Sequence, residues 1–535
     1  MSSITMFSLQ FIDSLIKQLP AHTAVRDLAG KLTAKNGRPI ILSSTALVLI
    51  TYYILIYRLE LNRPKAFRAI PKLNGMQNTK LMIQNVPFVD RYNQALKDVL
   101  EEKGIGRTSL GGNDIIFFAT PELSQQILNN TDVFLKPTTE TFSHHTLLHK
   151  LFGSANLVFS NGDVWHRHRA IANPAFHRSW DTKVFGRCAE VMSQQINKQI
   201  VEHGDVDIST LFQRLSLDAL GLAGFGYDFQ ALQNPTGRYV VLYNDLMVGA
   251  LNALYLVFPW LDRFPIGRRR ELHDKLIEFD ELLFDIIRQK KKDLDSGIIT
   301  ADSDLLSMMI HATNNSSGEA KLSDRELRDN FVMFFTAGHD TTANALTCVI
   351  YFLAKFSEYQ DRARKEAIEA IGDDGTIPSL AKLKNLPFID NCIKEALRIC
   401  PSVAQLPSRY VASDFRTAEG YFIPKGSRAM LNIYALHHNK KYWGDDVEQF
   451  RPERFDEFAN GKKLDPWLWM PFSFGSRSCI GQQFSMIEQH VVLTMLLQRY
   501  IFTLPENSPH KDGIVFRKGS SLHPSHIRIK VTNRV

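Results

Sequence analysis

The sequence predicts a mainly α chain with small β-sheets, the α+β class, and three observations predict it. Apolar residues at helical spacing outnumber alternating, strand-like runs along the chain. One segment, 323–355, reads as a single capped helix of roughly 30 residues, longer than most globular helices. The strand-like runs are few, short and bounded by Gly, Pro or Asn, as hairpins are. No internal repeat, heptad array or low-complexity tract interrupts the pattern.

Composition bounds what the chain can do. With 44% apolar residues and 35 phenylalanines, a large buried core is within reach. The net charge of +7 suits solubility, anionic lipid headgroups or an acidic protein partner. Nucleic-acid binding is not expected, because the Lys and Arg residues are dispersed and no recognised module is present. The five cysteines (Cys188, Cys348, Cys392, Cys400 and Cys479) are odd in number and form no CxxC pair. Neither a disulfide framework nor a zinc ribbon is therefore indicated. Four of them sit in apolar helical surroundings, as small core residues do; Cys479 has different neighbours.

The chain divides into four stretches. Residues 1–39 are mixed. Residues 40–57 form an uncharged apolar run near the lower length for crossing a bilayer, with Tyr52, Tyr53 and Tyr57 towards one end. A buried core helix is the competing reading, but nothing beside the run looks like a domain it could join. No small-residue cleavage site follows, so the run is expected to be an uncleaved transmembrane anchor. The flanking charges bias the C-terminal side only slightly towards the cytosol. Residues 58–74, with Pro64 and Pro71, read as a stiff linker, and 75–535 as the body.

Within the body, 86–103 looks helical, and 106–110 and 115–119 flank a Gly-Gly-Asn-Asp hairpin signal. Segments 122–129 and 147–157 read as further helices. His144, His145 and His149 lack the carboxylate or thiol that would complete a metal site. Trp165 and Arg169 are four apart and share a helix face, where indole N–H and guanidinium can bind an anion; an amphipathic surface helix is the plainer alternative. Segment 246–261 is apolar but too short to span a bilayer, and suits core packing, substrate access or membrane contact. Asn-x-Ser/Thr triplets at Asn129, Asn314 and Asn315 carry no meaning in a cytosolic body.

Ser323 and Glu326 have capping-box spacing, and Ser357 and Gln360 repeat it for the next helix. Midway along the long helix lies Ala337-Gly338-His339-Asp340-Thr341-Thr342. Glycine and threonine disfavour a regular helix there, so a local bulge is expected, with an acid and a hydroxyl suited to handling protons and small oxygen species. Segment 386–399 is a helix ended by Pro401, carrying Glu395 and Arg398 at i, i+3. An extended stretch with Arg409 follows, then strands at 421–424 and 428–434. A Pro-containing stretch offers Arg454 to Glu395. Segments 514–517 and 526–531 read as a terminal hairpin.

Phe472-Ser-Phe-Gly-Ser-Arg-Ser-Cys-Ile-Gly481 is a glycine-punctuated loop whose cysteine stands where an apolar helix, 482–500, begins. A helix N-terminus and Arg477 both favour the thiolate. The residues alone leave two options, a reactive thiol or a ligand for a soft metal.

At this point the sequence resembles the cytochrome P-450 family, the haem-thiolate monooxygenases. The likeness rests on Phe472, Gly475, Arg477, Cys479 and Gly481, on Ala337-Gly338-x-Asp340-Thr341-Thr342, and on Glu395-x-x-Arg398. Pro452-x-Arg454-Phe455 and Trp165-x-x-x-Arg169 add to it. The linker departs from the compact proline hinge of microsomal members. The resemblance implies one large haem domain over 75–535 and haem b as cofactor, with Cys479 as the axial iron ligand and Phe472 shielding the sulfur. Gly475 and Gly481 would let the backbone turn close to it. Arg477, Arg409, Trp165 and Arg169 would bind the propionates. Ala337 and Gly338 would leave room for oxygen, and Asp340 and Thr341 would be catalytic, delivering protons during dioxygen activation. Glu395, Arg398 and Arg454 would form a buried structural network.

It further implies dioxygen, a lipophilic small-molecule substrate and an NADPH-dependent FAD/FMN flavoprotein reductase as partners, with Arg167, Lys462 and Lys463 as candidate docking cations. The place would be the endoplasmic reticulum membrane, single-pass, with the catalytic body cytosolic. Segments 140–158, 246–258, 334–337, 403–406 and 520–522 would line the pocket. A peroxide-rearranging haem-thiolate isomerase or lyase is the alternative, and a membrane haem sensor or carrier a second; the acid–threonine pair favours monooxygenation.

Overall fold

The computed structural model describes residues 64–110, 113–138, 144–250, 252, 254–255, 259–315, 321–459, 464–518 and 522–534. The chain falls into two units, 1–69 and 70–535, and every element discussed below belongs to the second. The expected anchor, 40–57, lies outside the described residues. Among those described, no helix is long and apolar enough to cross a membrane.

The helical span expected over 86–103 is two helices, α1 (Phe88–Ala95) and α2 (Lys97–Lys103). Leu96, at φ −122°, breaks them and is itself buried. Strands β1 (Ile105–Leu110) and β2 (Asn113–Phe118) then pair antiparallel, Ile105 opposite Phe118 and Leu110 opposite Asn113.

Strand β3 (Phe134–Leu135) follows α3 (Pro121–Asn129), and β4 (Val206–Asp207) lies between later helices. The remaining strands are β5 (Arg409–Val411), β6 (Phe415–Arg416), β7 (Phe422–Ile423), β8 (Arg428–Leu431), β9 (Tyr500–Thr503) and β10 (Arg528–Asn533). They form a five-stranded sheet in the order β1-β2-β8-β5-β3, a three-stranded sheet β4-β10-β9 and the pair β6-β7. The expected terminal hairpin shrinks to a single bridge, Phe516 to Pro524. Strand β10 instead pairs with β9 and β4, which buries Ile529 and Val531 in the helical core.

Helices of the core include α4 (Leu147–Phe152), α5 (Gly162–Phe176), α6 (Thr182–His203), α7 (Ile208–Leu220), α8 (Arg238–Ala250) and α9 (Arg268–Asp295). They also include α10 (Asp324–Lys355), α11 (Ser357–Ile371), α12 (Pro387–Ile399), α13 (Ile433–His437) and α14 (Gln482–Arg499). Helix α4 stops at Phe152, short of the expected 157, because Gly153 takes φ +73°.

Helix α10 is the axis of the core. Its capping box is present: Ser323 Oγ accepts from Glu326 N–H at 3.2 Å, and Glu326 Oε2 accepts from Ser323 N–H at 2.9 Å. Its aromatic residues meet neighbours all round. Phe331 stacks on Phe225 at 3.7 Å, Phe334 meets Phe176 edge-on at 5.0 Å, and Phe335 meets Tyr243 at 4.6 Å. Burial from Leu327 onwards therefore replaces the i,i+4 charge pairing that a long exposed helix would need.

Two expectations along this axis are corrected. Helix α10 continues through Ala337–Thr342 without a bulge. Thr341 Oγ1 donates to Ala337 O at 2.7 Å within the helical path. Gly338 serves packing instead, since a Cβ there would come within 2.9 Å of Leu220 of α7. Ser357 does not cap α11: Phe356 occupies that position, and the Gln360 amide donates to Leu353 O and Phe502 O, tying α11 to β9.

Candidate active site

The loop before α14 is built by alternating backbone hands. Ser473 and Gly475 both have positive φ, +60° and +76°, so Gly475 is where a side chain would be strained. Gly481 is ordinary at φ −88°; a Cβ there would rest 3.8 Å from Phe176. Cys479 N–H donates to Phe472 O at 2.8 Å and closes the loop. Phe472 is half-buried against the core beside Trp469.

Cys479 is exposed, yet its thiol lies deep among protein atoms. Burial pushes its pKa up, opposed by the Gly481 N–H and by the charge of Arg169. Arg169, on α5, donates to Ser478 O at 3.2 Å and so pins the loop as well as charging it. Of the other cysteines, all four are buried, as expected.

Around the loop gathers a set of cations. Arg477 donates to Ser160 O at 2.7 Å and lies 3.9 Å from the Trp165 ring. Arg409 donates to Phe134 O at 3.1 Å. Burial lowers both, Arg409 to about 10 and Arg477, with Arg409 and Arg169 adding to the effect, to about 9. Lys136, just after β3, is drawn down to about 7 by burial, then by Arg409 and Arg477. Sequence reasoning missed it, because a lone lysine before a proline has no periodic or motif signal.

Among the described residues none of these four cations has a carboxylate partner, while Arg409 Nη2 and Arg477 Nη1 are buried donors without any acceptor. Orphaned charged donors of this kind are costly. The donor set therefore suits a group carrying two carboxylates.

On α10, Ala337 is exposed although Phe334 and Phe335 beside it are buried, so the helix opens onto free space at this turn. Asp340 meets His339, Nε2 to Oδ1, at 3.2 Å. Burial alone would raise Asp340, but His339, followed by His523 and Arg517, holds it at about 2. Ser402 Oγ donates to Thr341 O at 2.8 Å, and Thr342 Oγ1 donates to Ser485 Oγ at 2.9 Å. The second bond ties this turn of α10 to the first turn of α14, directly after the cysteine loop.

The expected ionic network is present and fully buried. Glu395 takes Arg398 in a two-pronged pair, 2.8 and 2.9 Å, and Arg454 at 3.3 Å. Arg398 Nη1 also donates to His437 O at 2.9 Å. His437 donates from Nδ1 to Arg398 O at 3.2 Å and accepts Met470 N–H on Nε2 at 3.0 Å. Burial, then Arg398 and His438, pushes its pKa well down, so it stays neutral and able to accept. Through His437, which the motifs did not single out, the network reaches the start of the cysteine loop.

Arg167, one of the expected docking cations, is held by Glu326 and Lys321 O. His166, Arg169 and His177 line a hollow of about 480 Å³ with Gly475, Ser476 and Ser478. Lys462 and Lys463 lie outside the described residues, as do parts of the expected pocket lining. His144 Nδ1 and His149 Nε2 are 3.1 Å apart, and among the described residues no group of three metal-binding side chains forms.

This arrangement of a helical core, a cysteine loop ringed by cations and a buried Glu-Arg-Arg network is matched by the model of one family, Cytochrome P450, over residues 77–531. The chain is 31% identical over 372 residues to a cytokinin hydroxylase of Arabidopsis thaliana, covering 68% of this chain and 70% of that protein. It is 32% identical over 392 residues to cytochrome P450 4F5 of Rattus norvegicus (68% and 72%). To cytochrome P450 4F8 of Homo sapiens it is 29% identical over 416 residues (74% and 78%). The chain belongs to the cytochrome P450 family. It is accordingly a monooxygenase, an oxidoreductase, and its cofactor is haem b with iron under an axial cysteine thiolate.

Proposed function

We propose that this enzyme hydroxylates a lipophilic substrate, a fatty acid, alkane, steroid or xenobiotic, with two electrons drawn from NADPH through a flavoprotein reductase. One oxygen atom enters a C–H bond, and the other leaves as water with two protons. The observation that carries the reading is the pair of buried, unpartnered donors on Arg409 and Arg477 beside an accessible Cys479.

Cys479 supplies the axial thiolate, with Phe472 against it and Gly475 giving the turn. Arg169, Arg409, Arg477 and Trp165, joined by Lys136, hold the two propionates by charge-assisted hydrogen bonds. When bound, haem under a thiolate supplies dioxygen activation, the sulfur's electron density favouring O–O cleavage. Ala337 keeps the turn of α10 open for substrate and oxygen, and Asp340 and Thr341 pass protons there. Glu395, Arg398 and Arg454 hold the loop's entry at Met470 in place. Residues 75–535 act as the catalytic domain on the cytosolic face of the endoplasmic reticulum, anchored by 40–57. Trp260, Phe264 and Ile266, exposed by 65%, 73% and 81%, support a lipid-facing side. The hollow lined by His166, Arg169 and His177 is the place offered to the reductase.

The reduced, carbon-monoxide-bound difference spectrum tests this. The protein is expected to show the red-shifted Soret band of a thiolate haem, and Cys479→Ala to abolish it. Thr341→Ala is expected to keep the band but to divert NADPH electrons to peroxide. An unshifted band sinks the thiolate assignment; tight coupling in Thr341→Ala sinks the proton-delivery role. Product from added hydroperoxide without NADPH would make the enzyme an isomerase or lyase.

A further inference from the structure

His339, inside the oxygen-activating turn, is left without a task by the reading above. Its ring is buried, 4% exposed, and each nitrogen faces an acceptor. Nδ1 is 2.9 Å from Phe335 O, and Nε2 is 3.2 Å from Asp340 Oδ1. A neutral imidazole donates from only one nitrogen. The imidazolium donates to both; in the neutral Nε2–H tautomer the Nδ1 lone pair would face Phe335 O at 2.9 Å, with only the Tyr243 hydroxyl, farther off at 3.5 Å, able to donate to it.

The ring cannot swing away to escape this. Tyr243 of α8 stands edge-on at 5.1 Å and Phe335 at 5.8 Å. The charged and titratable groups facing it come from three sides. Asp340 lies on its own helix, and the Tyr243 hydroxyl is 3.5 Å from Nδ1. Glu488 of α14 acts on it through space. That carboxyl is buried, accepts Ser216 Oγ at 2.6 Å and has one oxygen without a partner. Asp340 in turn faces His523 and Arg517 of the C-terminal segment.

We propose that His339 is a positioning residue for proton delivery: as imidazolium it orients Asp340, and the two side chains work as one proton-carrying unit. The inference rests on the acid–threonine reading above and adds where the proton is kept. Burial opposes the charge on His339, but Asp340, with the Phe335 carbonyl and Glu488, outweighs it, so the ring's pKa is raised. Asp340, held at about 2, has no proton of its own to give near neutral pH, where a useful general acid must be part-protonated. In the step, the Nε2–H bond breaks and an O–H bond forms on Asp340. The carboxyl then releases that proton towards the Thr341 side and is a carboxylate again. His339 is left neutral until solvent protonates it.

The sign follows from the direction of the shift. The unit is loaded below His339's raised value and empties as pH rises through it. The same shift stabilises the fold fully below the ordinary histidine value, and that stability is lost as pH rises through the raised one.

The experiment measures product per NADPH, released peroxide and thermal midpoint against pH for wild type, His339→Gln, His339→Phe and Asp340→Asn, all haem-loaded. Wild type is expected to be coupled at the acid end and to lose coupling on the alkaline side. His339→Gln, which can hydrogen-bond but carry no proton, should lose that alkaline limb. It should also be uncoupled by about tenfold or more at its best pH. The gap in thermal midpoint between wild type and His339→Gln should be widest at low pH and close as pH rises. His339→Phe fills the same aromatic box and should behave alike, which guards against misfolding of the first variant. Wild-type coupling and pH profile in the His339 variants, with Asp340→Asn uncoupled, overturns this inference alone. Full coupling in Asp340→Asn overturns the acid–threonine reading with it.

Discussion

Glu395→Ala isolates what the buried network does for the cysteine loop. The carboxylate accepts four bonds: two from Arg398, one from Arg454 and one from the Arg451 N–H at 3.2 Å. Removing it leaves Arg398, fully buried, with carbonyl partners but no counter-charge. Arg454 keeps Asp446, so the penalty falls mainly on Arg398. Breaking a buried pair from one side costs about 3–5 kcal/mol. Unfolding entropy for a unit of this length makes that roughly 3–5 °C in thermal midpoint. Glu395→Gln should lose less, because its carbonyl can still accept from Arg398, Arg454 and the Arg451 N–H while its NH₂ opposes only Arg398 Nε. The double variant Glu395→Met/Arg398→Met should recover part of the loss, since no charge is left stranded. Scanning fluorimetry reads the midpoint, and the thiolate Soret band reads whether Met470 still seats the loop. A loss under about 1 °C with an unchanged spectrum would refute the chain of support from Glu395 through Arg398 and His437 to Met470.

The remaining predictions concern the cations and the cap. Arg477→Leu and Arg409→Leu each remove a charge-assisted donor worth about 1.5–3 kcal/mol, so haem should pass to an acceptor apoprotein about ten- to a hundredfold more readily; unchanged transfer would detach these residues from the cofactor. Burial alone would raise Glu326, but Ser323 N–H, Arg167, the Ser323 hydroxyl and His168 bring it to about 2. Its contribution is present above the ordinary Glu value and is lost as pH falls through about 2. In Arg167→Ala the acid loss of stability, followed by urea unfolding, should be smaller and should be complete at higher pH.

Much of this fold was legible because its strongest signals are local. The capping box at Ser323, the length of α10 and the β1–β2 pairing depend on residues close together in the chain, and the structure has all three. The errors arose where distant packing decided. Gly338 suggested a bulge by propensity, but the approach of Leu220 from α7 gives the glycine its use inside a continuous helix. Ser357 has the spacing of a cap, but β9 draws Gln360 away to a different partner. The C-terminal segment pairs with β9 and β4 because the core, not the nearest turn, buries Ile529 and Val531.

The site divides along the same line. Cys479, Arg477, Glu395 and Arg398 stand in short spacings that a single stretch displays, so they could be singled out before any geometry was known. Lys136 and His437 have no such neighbours; each matters only because the chain just after β3 and α13 brings it to a loop that is far along the sequence from it. His339 is the instructive case, since it lies within the motif and was still passed over. Spacing identifies which side chains accompany one another, and it says nothing about which atoms face which. The two acceptors that decide its protonation, Phe335 O and Asp340 Oδ1, emerge only once the helix is known to run unbroken through that turn. An interrupted helix would have moved Phe335 O out of reach and left the ring free to be neutral. The continuity of α10, which corrected one expectation, is thus also what gives His339 its charge.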